Sequence, residues 1–488
     1  MASKELKGTR VLLLGLGRLG GGVATAKWLS KKGVELTITD MLSAHTLENS
    51  LKQLKGIHAH YVLGKHDKRD IDWVDTVVVN PGVSYKNEYV QYAIVSGKQV
   101  ENDCSLFFQI ARGDLIAITG TRGKTTTSIW TYFLLSKLCK TAVLGGNQPD
   151  KALLKIIPAT QPGVPTILEL SSFQLEFYRI GLPAPRIAAI TNILGDHLNR
   201  YCNEEEYACA KAQIIANQNE DDFLILNADN NWTKNFLAMK PRAQLYFVSS
   251  KKIGAAKNGI YIGASSLSLQ ENGKIVPLCS ISLFQKKWGR HNVWNLAYAV
   301  LSSYLYARYV SEKNNAKIQK KFSLQKFKAL VKKYMNQLPL VPLRQEIVRA
   351  SKKLTVINDS AATSPDAVIQ ALRRFLPSSR GKLALITGGT DKNLAFEELA
   401  KYIKANLKPD QIVFLKGSAT QKLLRELDWT KFPYRHDLIC DDLKTCLKKA
   451  ITLNPALILF SPGSASFEKF KNEFDRGAQF AALAKKLI

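Results

Sequence analysis

The sequence predicts an α/β protein of three domains, each organised on a mostly parallel sheet. Three observations carry that expectation. At 488 residues the chain exceeds what one hydrophobic core supports, so two to four domains are expected. Short apolar runs of strand length alternate with helical patterns, the arrangement that builds parallel sheets flanked by helices. Two of those strands run straight into a glycine-rich turn and then a helix.

Composition narrows the classes. Hydrophobic content of 46% with 22% charged residues is ordinary for a globular chain. No stretch approaches 18 uninterrupted apolar residues, so no membrane span is expected. The opening residues Met-Ala-Ser-Lys-Glu-Leu-Lys-Gly carry no apolar secretory segment, which predicts a cytoplasmic protein. Seven cysteines without a Cys-x-x-Cys pair, and seven histidines not clustered with them, fit neither a disulfide scaffold nor a zinc framework. The charge is unusual: 69 basic against 40 acidic residues give +29. That favours phosphorylated or polyanionic ligands. The lysines are spread out, with modest runs such as 317–322. No aromatic interleaving or groove-reading element accompanies them, so no specific nucleic-acid partner is expected.

The first domain, 1–105, opens with the strand Val11-Leu-Leu-Leu and the turn Gly15-Leu-Gly17-Arg-Leu-Gly20, followed by a helical pattern through Leu29. A second strand ends at Asp40, 20 residues past Gly20. This is the Rossmann-like spacing, in which glycines let the backbone approach a pyrophosphate at a helix N-terminus. A tight turn closing a helix on a sheet explains it equally well. The strand Thr76-Val-Val-Val ends at Asn80-Pro-Gly82, a further turn at a strand's carboxyl edge.

The second domain, 106–340, contains the strand Leu115-Ile-Ala-Ile-Thr, then Gly120-Thr121-Arg122-Gly123-Lys124-Thr125-Thr126 and an apolar-periodic helix. A strand, a Gly-Lys-Thr turn and a helix form a P-loop-like phosphate cradle, with the Lys offsetting phosphate charge and the Thr hydroxyl suited to Mg²⁺. A plain Walker motif would place a glycine at 118, where the chain has Ile118. Downstream strands end at Glu169 and at Asp196-His197, positions where Mg²⁺ ligands belong in such a sheet. The third domain, 341–488, repeats the Rossmann-like alternation, with strand ends at Asn358-Asp359-Ser360 and at Gly388-Gly389-Thr-Asp391-Lys392.

At this point the chain resembles the Mur ligase family over essentially its whole length, and within it the D-glutamate-adding type. Ala117-Ile-Thr-Gly-Thr-Arg-Gly-Lys124-Thr matches the family's cradle and accounts for the shifted glycine. Gly145-Gly146-Asn147, Leu168-Glu-Leu-Ser-Ser-Phe-Gln-Leu-Glu176, Asp196-His197 with Tyr207 and Lys211, and Gly289-x-His291-Asn292-x-x-Asn295 resemble further family segments. Ser461-Pro-Gly-Ser-Ala-Ser466 through Asn472, followed by Arg476-Gly477, is the most type-specific.

The resemblance implies roles. Gly15, Leu16, Gly17, Asp40, Asn80, Gly82 and Asn147 would hold UDP-N-acetylmuramoyl-L-alanine (UDP-MurNAc-L-Ala). ATP would lie on Gly120, Thr121, Arg122, Gly123, Lys124, Thr125 and Thr126, with Asn292, Asn295, Arg344 and Asp359. Thr125 and Glu169 would serve one Mg²⁺. A second would be held by His197 and by Lys211 carbamylated with CO₂, which turns an ammonium into an oxygen ligand. Thr363, Lys392, Ser466 and Phe467 would receive D-glutamate. Lys124, His197 and Lys211 are the expected catalytic residues, and a monomer is the expected state. The chain departs from the type at Arg122, Gly195, Leu343, Ala361 and Glu473-Phe474, two of these beside the amino-acid pocket. A ligase with another acceptor, such as a folylpolyglutamate-like enzyme, and a basic nucleic-acid-binding ATPase are the alternatives.

Overall fold

The computed structural model describes residues 6–147, 149–254, 256–313, 323–351, 353–379 and 381–488, and the basic run 317–322 lies outside them. Three sheets follow one another along the chain. The first holds β1 (Arg10–Leu14), β2 (Glu35–Asp40), β3 (His60–Leu63), β4 (Thr76–Val79) and β5 (Gln99–Asn102), in the order β3-β2-β1-β4-β5 and parallel throughout. The chain turns from one side of the sheet to the other between β1 and β4. The Gly15–Gly20 turn and Asn80 therefore meet at the carboxyl ends of adjacent strands, where ligands of open α/β sheets sit.

The second sheet holds β6 (Asp114–Thr119), β7 (Val143–Gly146), β8 (Pro165–Glu169), β9 (Ile187–Ile190), β10 (Phe223–Asn227), β11 (Gln244–Ser249), β12 (Asn258–Ile262), β13 (Ser266–Glu271) and β14 (Lys274–Ser280). Its order is β14-β13-β12-β11-β10-β9-β6-β8-β7, parallel from β7 to β12 and closed by an antiparallel hairpin. β6 lies between β8 and β9, so both of its edges are paired, and the burial of successive residues Leu115, Ile116, Ala117 and Ile118 shows that both of its faces are covered.

The third sheet holds β15 (Glu346–Ala350), β16 (Thr355–Asn358), β17 (Leu383–Thr387), β18 (Ile412–Leu415), β19 (Ile439–Cys440) and β20 (Leu457–Phe460), in the order β15-β16-β20-β17-β18-β19. Only the edge strand β15 is antiparallel. The helix Pro365–Ser379 shows how sequence period becomes packing. Val368, Ala371, Leu372 and Phe375 fall at helical spacing and join Ile357, Leu385 and Leu459 in one core.

The chain divides into two compact units. The first comprises Met1–Leu194, Asn203–Leu283 and Val293–Leu338; the second comprises Gly195–Cys202, Phe284–Asn292 and Pro339–Ile488. Within the first, the segment after β8 ties the two sheets together. Phe177 packs into the core of the first sheet, Asn102 donates to the Gln174 carbonyl at 2.8 Å, and Arg179 forms a bidentate pair with the fully buried Glu101 at 2.6 and 2.8 Å.

Candidate active site

The turn after β1 is built around a carboxylate. Asp40 Oδ2 accepts the N–H groups of Leu16 and Gly17, both at 2.8 Å, and Oδ1 accepts that of Leu42 at 2.8 Å. The resemblance gives Asp40 to the UDP substrate; in the structure the residue is 6% exposed and its carboxylate shapes the turn that carries Gly15 to Gly17. Asn80 closes the turn from β4, donating to the Leu16 carbonyl at 3.4 Å and accepting from Gly82 N–H at 3.0 Å. The close approach of helix to turn belongs to Gly22, which the glycine spacing did not single out. A Cβ there would meet the Leu16 carbonyl oxygen at 2.2 Å.

The cradle lies between β6 and the helix Lys124–Leu138. Gly123 caps that helix in the left-handed region with no side-chain cap, so the helix presents its N-terminal peptide dipoles to the loop. Asn192, at the end of β9, organises the loop. Its side-chain oxygen accepts Arg122 N–H at 2.9 Å, and its carbonyl accepts Thr121 N–H at 2.8 Å. Thr191 donates to the Arg122 carbonyl at 2.7 Å. Lys124 folds back over the loop, its ammonium donating to the carbonyls of Gly120 at 2.9 Å and Thr121 at 3.1 Å. Asn295 packs against Gly123 and accepts from Thr127 at 3.3 Å, which brings a second residue of the expected ATP set to the cradle.

Thr125 Oγ1 donates to Glu169 Oε1 at 2.9 Å, joining the first helical turn to the end of β8. Both groups are oxygen donors, the kind Mg²⁺ takes alongside phosphate oxygens. Gly146 lies directly beside them, where a Cβ would sit 2.0 Å from the Glu169 carbonyl. The next residue, Asn147, donates its N–H to that same carbonyl at 2.9 Å. Lys211, on the helix Glu204–Ala212, is 1% exposed with its ammonium 4.6 Å from the centre of the Tyr207 ring. Without the resemblance, Lys211 reads as an ordinary exposed helix lysine; its burial removes that alternative.

The second unit gathers the rest. Asp359 accepts from Gln345 N–H at 3.0 Å and from Ser461 Oγ at 2.8 Å, and burial lifts its carboxyl to about 7. The Arg344 and Arg374 charges act against that rise. Arg344 stands between Leu343 and Gln345, whose φ values of 61° and 52° are left-handed, a strained backbone of the kind found at functional turns. Asn292 donates to the Trp288 carbonyl at 2.8 Å and lies 2.9 Å from His291 Nε2. Burial pushes the His291 imidazole down to about 4, and the Arg374 charge adds to this, so the ring is neutral. Arg374 donates to Gln345 Oε1 at 2.8 Å and to the Lys287 carbonyl. Motif reading named Asp359 and Asn292 but missed Gln345 and Arg374, which lie outside any motif.

Lys392 and Asp196, expected on opposite sides of the chemistry, form one ion pair at 2.8 Å, in which Asp196 is buried and Lys392 partly so. Asp196 Oδ1 also accepts His197 N–H at 2.9 Å, with His197 held at φ 57°. Thr363 and Ser466 sit on neighbouring loops, and Phe467 is 61% exposed. The hydroxyls of Ser364, Ser464 and Ser466 are buried without a hydrogen-bond partner among the described residues.

The Mur ligase middle domain matches residues 118–303, and the Mur ligase MurD-like N-terminal domain matches 9–102. The UDP-N-acetylmuramoylalanine–D-glutamate ligase of Roseiflexus sp. (strain RS-1) is 32% identical, covering 99% of each chain. That of Borreliella afzelii (strain PKo) is 32% identical over 100% of each, and that of Treponema pallidum (strain Nichols) 30% over 97% of each. Among solved structures, the UDP-N-acetylmuramate-alanine ligase of Thermotoga maritima superposes with a TM-score of 0.58 at 18% identity, covering 98% of this chain and 100% of that one. The MurF ligase of Thermotoga maritima, solved with ADP, gives 0.53 at 15% over 100% and 97%. At such identities these structures speak for the fold.

Proposed function

The chain belongs to the Mur ligase family, in the branch of the UDP-N-acetylmuramoylalanine–D-glutamate ligases, and we propose on that premise how its residues serve one reaction. That reaction is the ATP-dependent joining of D-glutamate to UDP-MurNAc-L-Ala in peptidoglycan synthesis. The observation that carries it is the cradle, in which Gly120 to Thr125, Lys124 and the Thr125–Glu169 pair converge at the carboxyl ends of β6 and β8.

A carboxylate is a poor electrophile, so its oxygen first attacks the γ-phosphorus of ATP. An acyl phosphate forms and ADP leaves. The amine of D-glutamate then adds to the carbonyl carbon, and phosphate departs as the amide forms. The first step drives a carboxylate against a polyphosphate, and Lys124 with the helix N-terminus offsets that repulsion. Thr125 and Glu169 would hold Mg²⁺, which adds positive charge at the phosphates when bound. His197 and a carbamate on Lys211 would hold a second ion. The burial of Lys211, 1% exposed, supports that role, since it sets this lysine apart from an ordinary surface one. Gly15 to Gly17 and Asn80 would take the UDP part, Asn292, Asn295, Arg344 and Asp359 would position ATP, and Thr363, Lys392, Ser466 and Phe467 would meet the incoming amino acid. No described helix is long and apolar enough to cross a membrane. A cytoplasmic site, where ATP is made, suits the reaction.

The test is phosphate release with Mg²⁺, ATP and UDP-MurNAc-L-Ala, adding amino acids singly. Release dependent on D-glutamate is expected. Release with a different amino acid would keep the chemistry and move the specificity, the outcome that Ala361 and Phe474 would then explain. The carbamate has its own check: Lys211→Ala should be inactive and regain part of its turnover with short-chain carboxylates. No recovery would remove the carbamate from the scheme.

A further inference from the structure

One charged group of the third domain has no part in the scheme above. Arg476, in the first turn of the helix Glu473–Leu487, is 0% exposed. Its guanidinium donates five hydrogen bonds. Nε reaches Ser360 Oγ at 3.1 Å; Nη1 reaches the carbonyls of Ser464 at 3.1 Å and Ala465 at 2.9 Å; Nη2 reaches those of Ser360 at 2.8 Å and Ser464 at 3.0 Å. Every acceptor is a neutral oxygen. Glu473 and Asp359 act on it only through space, and burial draws it down to about 10, so it stays a cation at neutral pH.

The two loops joined this way are those that carry Thr363 and Ser466. Helix and loops are locked by more than the arginine. Asn358 donates to the Gly477 carbonyl at 2.9 Å, Ser360 Oγ donates to that of Glu473 at 2.8 Å, and Gly463 N–H donates to that of Ala362 at 2.9 Å. On the same loops the hydroxyls of Ser364, Ser464 and Ser466, all 3% exposed or less, have no hydrogen-bond partner among the described residues. A buried cation without a counter-ion and three buried hydroxyls without partners are each unfavourable in a folded chain. An anion with oxygen acceptors seated on these loops relieves both. The other cation of this region, Lys392, is already paired with Asp196.

We infer that Arg476 is the positioning residue of the amino-acid pocket. It clamps Ser360 to Ser464 and Ala465 at the spacing the incoming dicarboxylate requires, and it supplies the fixed positive charge beneath that pocket. The inference rests on the reading of an acidic amino acid as acceptor.

The test compares wild type, Arg476→Met, Arg476→Lys and Ser360→Ala by steady-state kinetics. Arg476→Met should raise KM for D-glutamate at least about tenfold while KM for ATP and for UDP-MurNAc-L-Ala stay within about twofold. Arg476→Lys, which keeps the charge and loses the fork, should recover part of that loss. Ser360→Ala removes one anchor of the clamp without burying a new charge, and should raise KM for D-glutamate by a few-fold. If Arg476→Met fails to fold, the lysine and Ser360 variants decide the matter. An unchanged KM for D-glutamate, or KM values for ATP and D-glutamate that rise together, would overturn the inference. Absence of D-glutamate-dependent phosphate release in the wild type would instead sink the acceptor reading itself.

Discussion

Two turns of this chain are near twins and hold opposite charges. The helix Gly21–Lys31 is capped by Gly20 at φ 87°, ψ −12°, and the helix Lys124–Leu138 by Gly123 at φ 86°, ψ −11°, neither with a side-chain cap. Each turn follows the central region of a parallel sheet. In the first, the Asp40 carboxylate accepts N–H groups of Leu16 and Gly17. In the second, a neutral amide, Asn192, accepts Arg122 N–H, and the Lys124 ammonium lies across the loop carbonyls. The first turn therefore brings its own anion, while the second concentrates positive charge for an anion from outside. Glycine spacing alone does not separate these cases. What separates them is the charge of the side chain that reaches back into the turn.

The comparison breaks most visibly at Lys124. If the second turn works by charge, Lys124→Ala should lower kcat by about 10³-fold or more, since charge stabilisation and positioning carry most of phosphoryl-transfer catalysis. KM for UDP-MurNAc-L-Ala should change little, because the first turn is untouched. Turnover within tenfold of wild type would show that the cradle's positive charge is not what activates the carboxylate.

Gly22 comes next. A methyl group there would sit 2.2 Å from the Leu16 carbonyl oxygen and 2.9 Å from Asn80 Nδ2, neither of which can retreat without opening the turn. Gly22→Ala should cost about 3 kcal/mol, the upper range for overpacking, seen as a lowered midpoint in denaturant unfolding. A cost below about 1 kcal/mol would mean the helix shifts freely on the sheet.

Asp40→Asn has a smaller expected effect and bears on the charge itself. The amide keeps the shape but offers one acceptor oxygen in place of two, to three N–H donors. Hydrogen bonds to a charged acceptor contribute about 1.5–3 kcal/mol each, so a net loss near 2 kcal/mol is expected. KM for UDP-MurNAc-L-Ala should rise and KM for ATP should not. A variant as stable as wild type with weaker UDP-substrate binding would return Asp40 to direct substrate contact, as the resemblance implied.

How much of this was legible beforehand follows the same division. Alternating strands and helices, both glycine turns, Lys124, Thr125 and Glu169 can be read because local order brings them together. A strand end and the helix after it are neighbours in any parallel sheet. Asn192 could have been found, since it also ends a strand beside β6, but its role as loop organiser depends on which strand lies next to which. The buried state of Lys211, the Lys392–Asp196 pair and the cluster of His291, Gln345 and Arg374 join residues from distant parts of the chain. No period or spacing encodes such meetings. Arg476 was visible within a motif, yet its four neutral acceptors appear only once the loops are folded over it.

The smallest expected effect separates backbone from contact. Gly20 and Gly123 share one left-handed conformation, so alanine carries the same backbone penalty at either position, about 1 kcal/mol. Their surroundings differ. A Cβ on Gly20 meets nothing within 4 Å, whereas one on Gly123 would meet Asn295 Oδ1 at 2.2 Å. Gly20→Ala should therefore show the backbone penalty alone, and asparagine, which tolerates this region better, should show less. Gly123→Ala should cost more, and it should also raise KM for ATP by displacing Asn295 from the cradle. The difference between the two alanine variants then measures the Asn295 contact with the conformational term cancelled. Equal costs, with KM for ATP unmoved, would mean that Asn295 swings away freely and that the second turn owes its shape to Asn192 and Thr191 alone.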